Sequence, residues 1–342
     1  MLYYVARELH RYTIDEFIDY FGRCGLKAPA FLRVLGYETL FANKRAPIAN
    51  YVFTDIDRLS GFEIDAATEI ARAISAAAPD AAIINWPNRV LGRYALLRRL
   101  QEAGTNSFGV WRLDEERSPT RYPVFIRREQ DALGPESALL KNEGEYRTAI
   151  DALLDSGKGL GGRIAVEFCQ QRGTDGLYRK YGAFCFRGRI VPQHLFLSSD
   201  WVVKRSAIEV TPAMIREEEE YVFGNPHAEQ LRAIFELAHT DFGRIDYAVV
   251  NGRIEVFEIN TNPTFPRMRL DRKERARRRH FAVEGVVEGF RSFDHPVTAS
   301  GLVRFRTPKP KLHRLRGRSL RRRAGDLVTG LKWRWQALFP RK

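Results

Sequence analysis

Three oxygen-bearing side chains stand on what should be an apolar hairpin. The stretch GRIDYAVVNGRIEVFEINTNP, residues 243–263, reads as two strands joined at Asn251-Gly252. Asn-Gly between strand-like runs is a strong hairpin signal. Within it lie Asp246, Glu258 and Asn260. Turn length decides whether they share a face, because a slip of one residue flips every side chain across the sheet. A two-residue loop pairs Asp246 with Phe257 and sends Glu258 to the other face. A three-residue loop over 250–252, with Gly252 left-handed and a bulge, pairs Val249 with Arg253. That register puts Asp246, Ala248, Ile254, Val256, Glu258 and Asn260 on one face. Two carboxylates and an amide carbonyl among small apolar residues suit a hard cation, so oxygen-only ligands favour Mg²⁺ or Mn²⁺ over zinc. Mg²⁺ is commonly held by one or two carboxylates plus substrate phosphates. The competing reading is a solvent-facing strand whose acids keep it soluble.

The rest of the chain bounds what such a site could belong to. Its 342 residues are 44% hydrophobic, enough for two or three cores. No apolar run approaches the ~20 residues needed to span a bilayer. The opening MLYYVARELHRYTIDEF has no continuous apolar stretch of the kind a signal peptide carries. Cys24, Cys169 and Cys185 are sparse and unpatterned, which fits a reducing compartment better than a disulfide or zinc framework. A cytoplasmic protein is therefore expected. The net charge of +14 is uneven: residues 301–342 hold 14 Lys and Arg against the single acid Asp326. The remaining 300 residues carry 42 basic and 41 acidic side chains. The basic balance belongs to an appendage rather than to a nucleic-acid-binding face, and argues against a nucleic-acid partner.

The elements that must position the hairpin follow from periodicity. YVFTDIDRLS reads as a strand entering an acidic loop, and residues 64–78 as an Ala-rich helix. AAIINWP is a short buried-type strand. Residues 90–103 show helical spacing at Leu96, Leu97 and Leu100, stopped by Gly104. YPVFIR is a strand, REQDALGPE a loop, SALLKN a short strand or turn, and 145–154 a helix. RIAVEFCQ alternates like a strand. A β-rich stretch follows with a turn near Arg187-Gly188, then helices broken at 224–226. DRKERARRRHF is a charged helix, and no internal repeat is present.

At this point the hairpin resembles a known family. GRIDYAVVNGRIEVFEINTNPT is similar to the last strands of ATP-grasp ligases, notably the D-alanine–D-alanine ligase type, with their G-R-hydrophobic-D hairpin ending in E-hydrophobic-N-T-x-P. The resemblance implies Asp246, Glu258 and Asn260 as ligands of Mg²⁺ against the ATP phosphates. It implies Arg244 as the arginine that steadies the acyl-phosphate and tetrahedral states. It extends over about 85–265. VLGRYALLRRLQEAG resembles the helix that such enzymes open with a nucleotide-contacting Lys, and Arg93 takes that position. YPVFIR resembles the strand of the second nucleotide Lys, here Arg127. IAVEF looks like the hinge strand that meets adenine, with Glu167 there, and LYRKYGAFCFRGRIVP points to Arg179 and Lys180 as phosphate or substrate contacts. Lys141, in SALLKN, joins the nucleotide set. Three departures stand out. Both lysines are arginines, the loop REQDALGPE holds only Gly134, and Pro263-Thr264 stands where the family has Pro-Gly. Arginine keeps the charge in a planar fork suited to phosphate, and the third departure implies a different acceptor.

Other residues have blander readings. Lys204, in DWVVKRS, is either a catalytic cation facing substrate or phosphate, or a surface lysine. Trp201 reads as core. Asp55 and Asp57 read as caps of the next helix in preference to lining a substrate cleft, His194 as an ordinary strand residue and His227 as the start of a helix. Leu320, Leu327, Val328, Leu331, Trp335 and Leu338 recur at helical spacing amid arginines, giving a basic amphipathic tail. Such a tail suits an anionic membrane surface or a protein partner, or docks on its own domain. The expected fold is α/β (α+β) of ATP-grasp type. It comprises an N-terminal α/β domain over 1–110, an ATP-grasp domain over 111–300 and the tail over 301–342. The expected activity is ligation of a small-molecule or peptide carboxylate to an amine, using ATP and Mg²⁺ or Mn²⁺. The alternatives are a small-molecule kinase and an inactive ATP-binding or interaction module.

Overall fold

The computed structural model describes residues 1–23, 28–131, 133–203, 209–266 and 276–306. Cys24, Lys204 and the tail helix over 320–338 lie outside them. Two compact units divide the chain. One comprises Met1–Asp55, Leu59–Asn88 and the described residues from Phe293 on; the other comprises Ile56–Arg58 and Arg89–Ser292. The border expected near residue 110 thus falls at 88/89. Among the described residues no helix is long and apolar enough to cross a membrane.

The first unit is built on β1 (Leu2–Ala6), β2 (Leu32–Gly36), β4 (Asn50–Phe53) and β5 (Ile83–Ile84), in the order β2-β1-β4-β5. All three pairings are parallel. Parallel strands buried on both faces read as near-continuous apolar runs, and Leu2, Tyr4, Val5, Tyr51, Val52 and Phe53 are all fully buried. The helices α1 (Tyr12–Arg23), α2 (Tyr37–Asn43) and α3 (Gly61–Ala77) belong to the same unit, as does the short β3 (Arg45–Pro47). The cap of α3 is not Asp55 or Asp57. Ser60 accepts from the Glu63 N–H and Glu63 reaches back to Ser60, a reciprocal capping box. Asp55 is instead buried, accepting from the Arg7 N–H at 3.0 Å. Asp57 receives the Thr261 hydroxyl at 3.4 Å.

The second unit carries two antiparallel sheets. The smaller has the order β6-β8-β7, from β6 (Val110–Arg112), β7 (Val124–Arg128) and β8 (Arg163–Glu167). The larger runs β10-β9-β11-β12, from β9 (Tyr178–Phe186), β10 (Arg189–Ser198), β11 (Phe242–Val250) and β12 (Arg253–Asn260). Helices α4 (Arg93–Glu102), α5 (Glu143–Asp155), α6 (Pro212–Gly224), α7 (Ala228–Leu237) and α8 (Ala276–Arg291) complete it. One face of the larger sheet buries Ile245, Tyr247, Ile254 and Val256 against Tyr221 and Val222 of α6 and Leu231, Ile234 and Phe235 of α7. The opposite face is divided: Phe186 and Phe242 pack against Phe290 of α8, and Lys180, Arg244 and Asp246 stand farther along the same strands. In the first unit, β13 (Leu302–Arg304) pairs antiparallel with β3.

The hairpin reaches its register by another route than a three-residue loop. Asn251 and Gly252 form a two-residue turn with φ of 51° and 75°, and Val250 faces Arg253. Left-handed values at both central residues mark the turn whose twist matches that of the strands. The register then shifts between Asp246 and Tyr247. Tyr247 pairs with Val256, but Asp246 pairs with Glu258, leaving Phe257 as the extra residue. Phe257 packs beside Leu97, Phe108 and Val166, and that packing accounts for where the bulge sits. Asp246 and Glu258 therefore stand directly opposite each other, and Arg244 opposite Asn260. Ile254 and Val256, expected on this face, lie on the helix-packed face instead.

Candidate active site

Strand alternation sorts the basic residues between the two faces of the larger sheet. Successive side chains of β9 point to opposite faces, so Arg179 and Lys180 cannot serve one site. Lys180 faces the carboxylates and donates to Asp246 at 3.1 Å. Arg179 turns away, clamping Glu217 of α6 at 2.6 Å and Asp175 at 2.8 Å. Its expected contact with phosphate is thus corrected to a tie between strand and helix. Lys141 is likewise not brought to the site. Leu140 buries its side chain in the core of α5 and β7, and its neighbour Lys141 is exposed.

Each carboxylate of the cross-strand pair is held by two cations. Asp246 takes Lys180 and also Arg244, whose Nε lies 3.0 Å from Oδ1. Glu258 takes Arg93 and Arg127, the latter at 3.4 Å. Burial pushes the Glu258 carboxyl up, but Arg93 and Arg127 outweigh it and hold the group below its ordinary range. Burial likewise raises Asp246, and Arg244 with Lys180 brings it below. Both are anions at neutral pH. Burial lowers Arg127 from its usual value, against the pull of Glu258.

Arg93 opens α4, directly after the cap residue Gly92. A cation in the first turn opposes the helix dipole, so a local rule is broken where tertiary contacts compensate. Besides Glu258, the Arg93 guanidinium donates to the backbone carbonyls of Arg128 at 3.2 Å, Glu129 at 2.7 Å and Asp131 at 2.9 Å. Arg127 also reaches the Asp131 carbonyl, at 3.2 Å. A lysine ammonium has three donors and could not make this set; the guanidinium has five in a plane.

Asp246, Glu258, Lys180 and Arg127 line one part of a cavity of about 170 Å³ within this unit. Its apolar wall is aromatic. Trp201 lies 5.2 Å from Phe125 and meets Phe168 edge-on at 5.7 Å, with Phe108 and Phe257 also lining the space. Trp201, expected in the core, is half-buried and faces this cavity. Glu167 lines the cavity too, but its carboxylate accepts from the Gly109 N–H at 2.6 Å and from Arg121 at 2.6 Å. Cys169 is a packing residue here, and burial pushes its thiol well up, which keeps it protonated. His194 lies on the carboxylate-bearing face of the larger sheet, buried and stacked on Phe196, its ring over Gly182, where a Cβ would come within 2.4 Å. Burial first, then the nearby Arg244, Lys180 and Arg278, keep it neutral. His227 begins α7 and hydrogen-bonds the Tyr247 hydroxyl at 2.8 Å.

Among the described residues no three His, Cys, Asp or Glu side chains cluster as a metal site. The donors available are Asp246, Glu258 and the amide oxygen of Asn260, which also accepts the Asn262 N–H at 3.1 Å. That set fits Mg²⁺ or Mn²⁺. The two carboxylates are direct cross-strand neighbours, a spacing of about 5 Å between Cβ atoms, and the remaining positions suit phosphate and water oxygens. The surrounding cations are of the kinds that bind phosphate. The aromatic wall had no sequence pattern of its own: Phe125, Phe168 and Trp201 come from three separated segments.

No protein-family model and no curated protein matches the chain. Among solved structures it is similar to the D-alanine--D-alanine ligase from Bacillus anthracis complexed with ATP. That likeness covers 86% of this chain and 98% of the other at 13% identity, with a TM-score of 0.49. The L-amino acid ligase from Bacillus licheniformis is similar over 76% of this chain and 66% of its own, at 11% identity and a TM-score of 0.42. The RimK domain ATP-grasp protein from Sphaerobacter thermophilus DSM 20745 is similar over 84% of this chain and all of its own, at 13% identity and a TM-score of 0.41.

Proposed function

We propose that the chain is an ATP-grasp enzyme that binds MgATP in the cavity of its second unit and joins a carboxylate to an amine. The observation that carries this reading is the Asp246–Glu258 pair, flanked by four cations at one end of an aromatic cavity. The hairpin motif of the sequence supports it independently. The aromatic wall offers a base a stacking surface and excludes water. Arg127 and Lys180 face the polar part of the cavity, and Arg93 joins them on Glu258, so all three are set to take phosphate oxygens. A bound divalent cation would neutralise phosphate charge as it builds. Arg244, beyond Asp246, is set to stabilise negative charge on the reacting carboxyl.

In the proposed reaction a substrate carboxylate oxygen attacks the γ-phosphorus and ADP leaves. An amine nitrogen then attacks the acyl carbon, the carbon–oxygen bond to phosphate breaks, phosphate departs with the electron pair, and the amine proton is lost. The protein's share is positioning and charge stabilisation, without a covalent enzyme intermediate. Product analysis tests the reading. The protein is incubated with MgATP and a metabolite extract, and ADP, phosphate and new masses are followed. Ligation yields ADP, free phosphate and a condensed product. ADP with a stable phosphorylated product would make the chain a kinase, and no ADP at all would make it a binding module.

A further inference from the structure

Resting on this reading, we propose that the divalent-cation site does not exist in the nucleotide-free protein and is created by the polyphosphate itself. The observation is a count of charge. Asp246 and Glu258 bring two negative charges, while Arg93, Arg127, Lys180 and Arg244 bring four positive ones, all in contact with those carboxylates. A free cation approaching this cluster meets net positive charge and two carboxylates whose oxygens already accept hydrogen bonds. Glu258 is the more strongly committed, because its two partners are arginines with little exposure, 9% for Arg93 and 13% for Arg127.

A triphosphate reverses the balance. Guanidinium groups bind phosphate and carboxylate oxygens with the same planar geometry, so Arg127 and Arg93 can exchange Glu258 for phosphate without being left unpaired. The released carboxylates then face a metal that also has phosphate oxygens to bind. Arg93 has a second part in this exchange, besides its contact with phosphate. Its contacts to the carbonyls of 128, 129 and 131 hold the chain segment next to Gly134 and Pro135, which line the cavity, and so tie that segment to the state of Glu258. Metal and nucleotide binding are then coupled, each strengthening the other by the same factor.

The test reads metal binding, not turnover. Free and bound Mn²⁺ are measured by electron paramagnetic resonance on the full chain, alone and with a non-hydrolysable ATP analogue. Binding of the analogue without metal is measured separately. We expect Mn²⁺ to bind the protein–analogue complex at least tenfold more tightly than it binds either the protein alone or the free analogue. Arg127→Gln should bind Mn²⁺ alone more tightly than wild type while binding the analogue more weakly. Arg127→Lys, which keeps the charge, should stay like wild type toward Mn²⁺ alone. Opposite movement of the two affinities in one variant is something misfolding cannot produce. Wild-type protein that binds Mn²⁺ equally well with and without bound analogue would overturn the proposal and leave the nucleotide site standing. Failure of the analogue to bind at all would overturn the nucleotide reading, and this proposal with it.

Discussion

Glu258→Gln should lower turnover with MgATP by about 10²–10³-fold, the range seen when one pre-organised electrostatic partner of a transition state is removed. The substitution keeps the size of the side chain and an oxygen able to accept from Arg93 or Arg127. It removes the charge that a divalent cation would use. It also leaves two guanidinium groups near one another without their counter-ion, so the nucleotide-free variant should melt earlier than wild type. A triphosphate should restore part of that loss, because phosphate replaces the missing charge. Steady-state assays and melting curves with and without the analogue check both halves. Wild-type turnover in the variant would show that Glu258 is a structural partner of the arginines and nothing more.

Arg127→Ala should weaken nucleotide binding roughly tenfold to hundredfold, because a charge-assisted hydrogen bond contributes about 1.5–3 kcal/mol. Arg127 makes the sharper test of the two arginines. Arg93 also holds three backbone carbonyls, so its removal would disturb the segment at 128–131 as well as the phosphate contact. Arg127→Lys should keep part of the affinity, since the charge remains but the fork does not. Titration calorimetry with the analogue and Mg²⁺ measures the change. Unchanged affinity in Arg127→Ala would mean that phosphate binds somewhere else.

The two strands of the hairpin and the shared face of Asp246 and Glu258 are legible in the sequence, but not the device that aligns them. Residue types and the Asn-Gly turn gave the two strands, and the requirement that Asp246 and Glu258 share a face pointed to a bulge. The expected bulge sits at the turn, whereas the observed one lies at Phe257. Its place depends on the side chains that pack around Phe257, among them Leu97 and Phe108 from distant segments, and no local pattern encodes that. Arg179 and Lys180 show a related limit. Period-two alternation says that only one of them faces the site, but choosing between them needs the position of α6, which supplies Glu217 to Arg179. Lys141 follows the same rule one residue after buried Leu140. Trp201, expected in the core, stands in a cavity wall, a place that depends on Phe125 and Phe168. The arginines at 93 and 127 were legible as phosphate-binding candidates. Their hold on Glu258 was not, because it joins residues more than 130 positions apart.

On the proposal made above, Asp246 and Glu258 exchange arginine and lysine partners for a divalent cation and the phosphates of a nucleotide. A crystal structure of the protein with Mn²⁺ and a non-hydrolysable ATP analogue, read by manganese anomalous scattering, tests it most directly. Anomalous density is expected near Asp246 and Glu258 at about the 2.0–2.1 Å typical of Mg²⁺–oxygen contacts, with Arg127 on phosphate rather than on Glu258. Nucleotide in the aromatic cavity but no manganese at these carboxylates, with Arg93 and Arg127 still paired to Glu258, would contradict it.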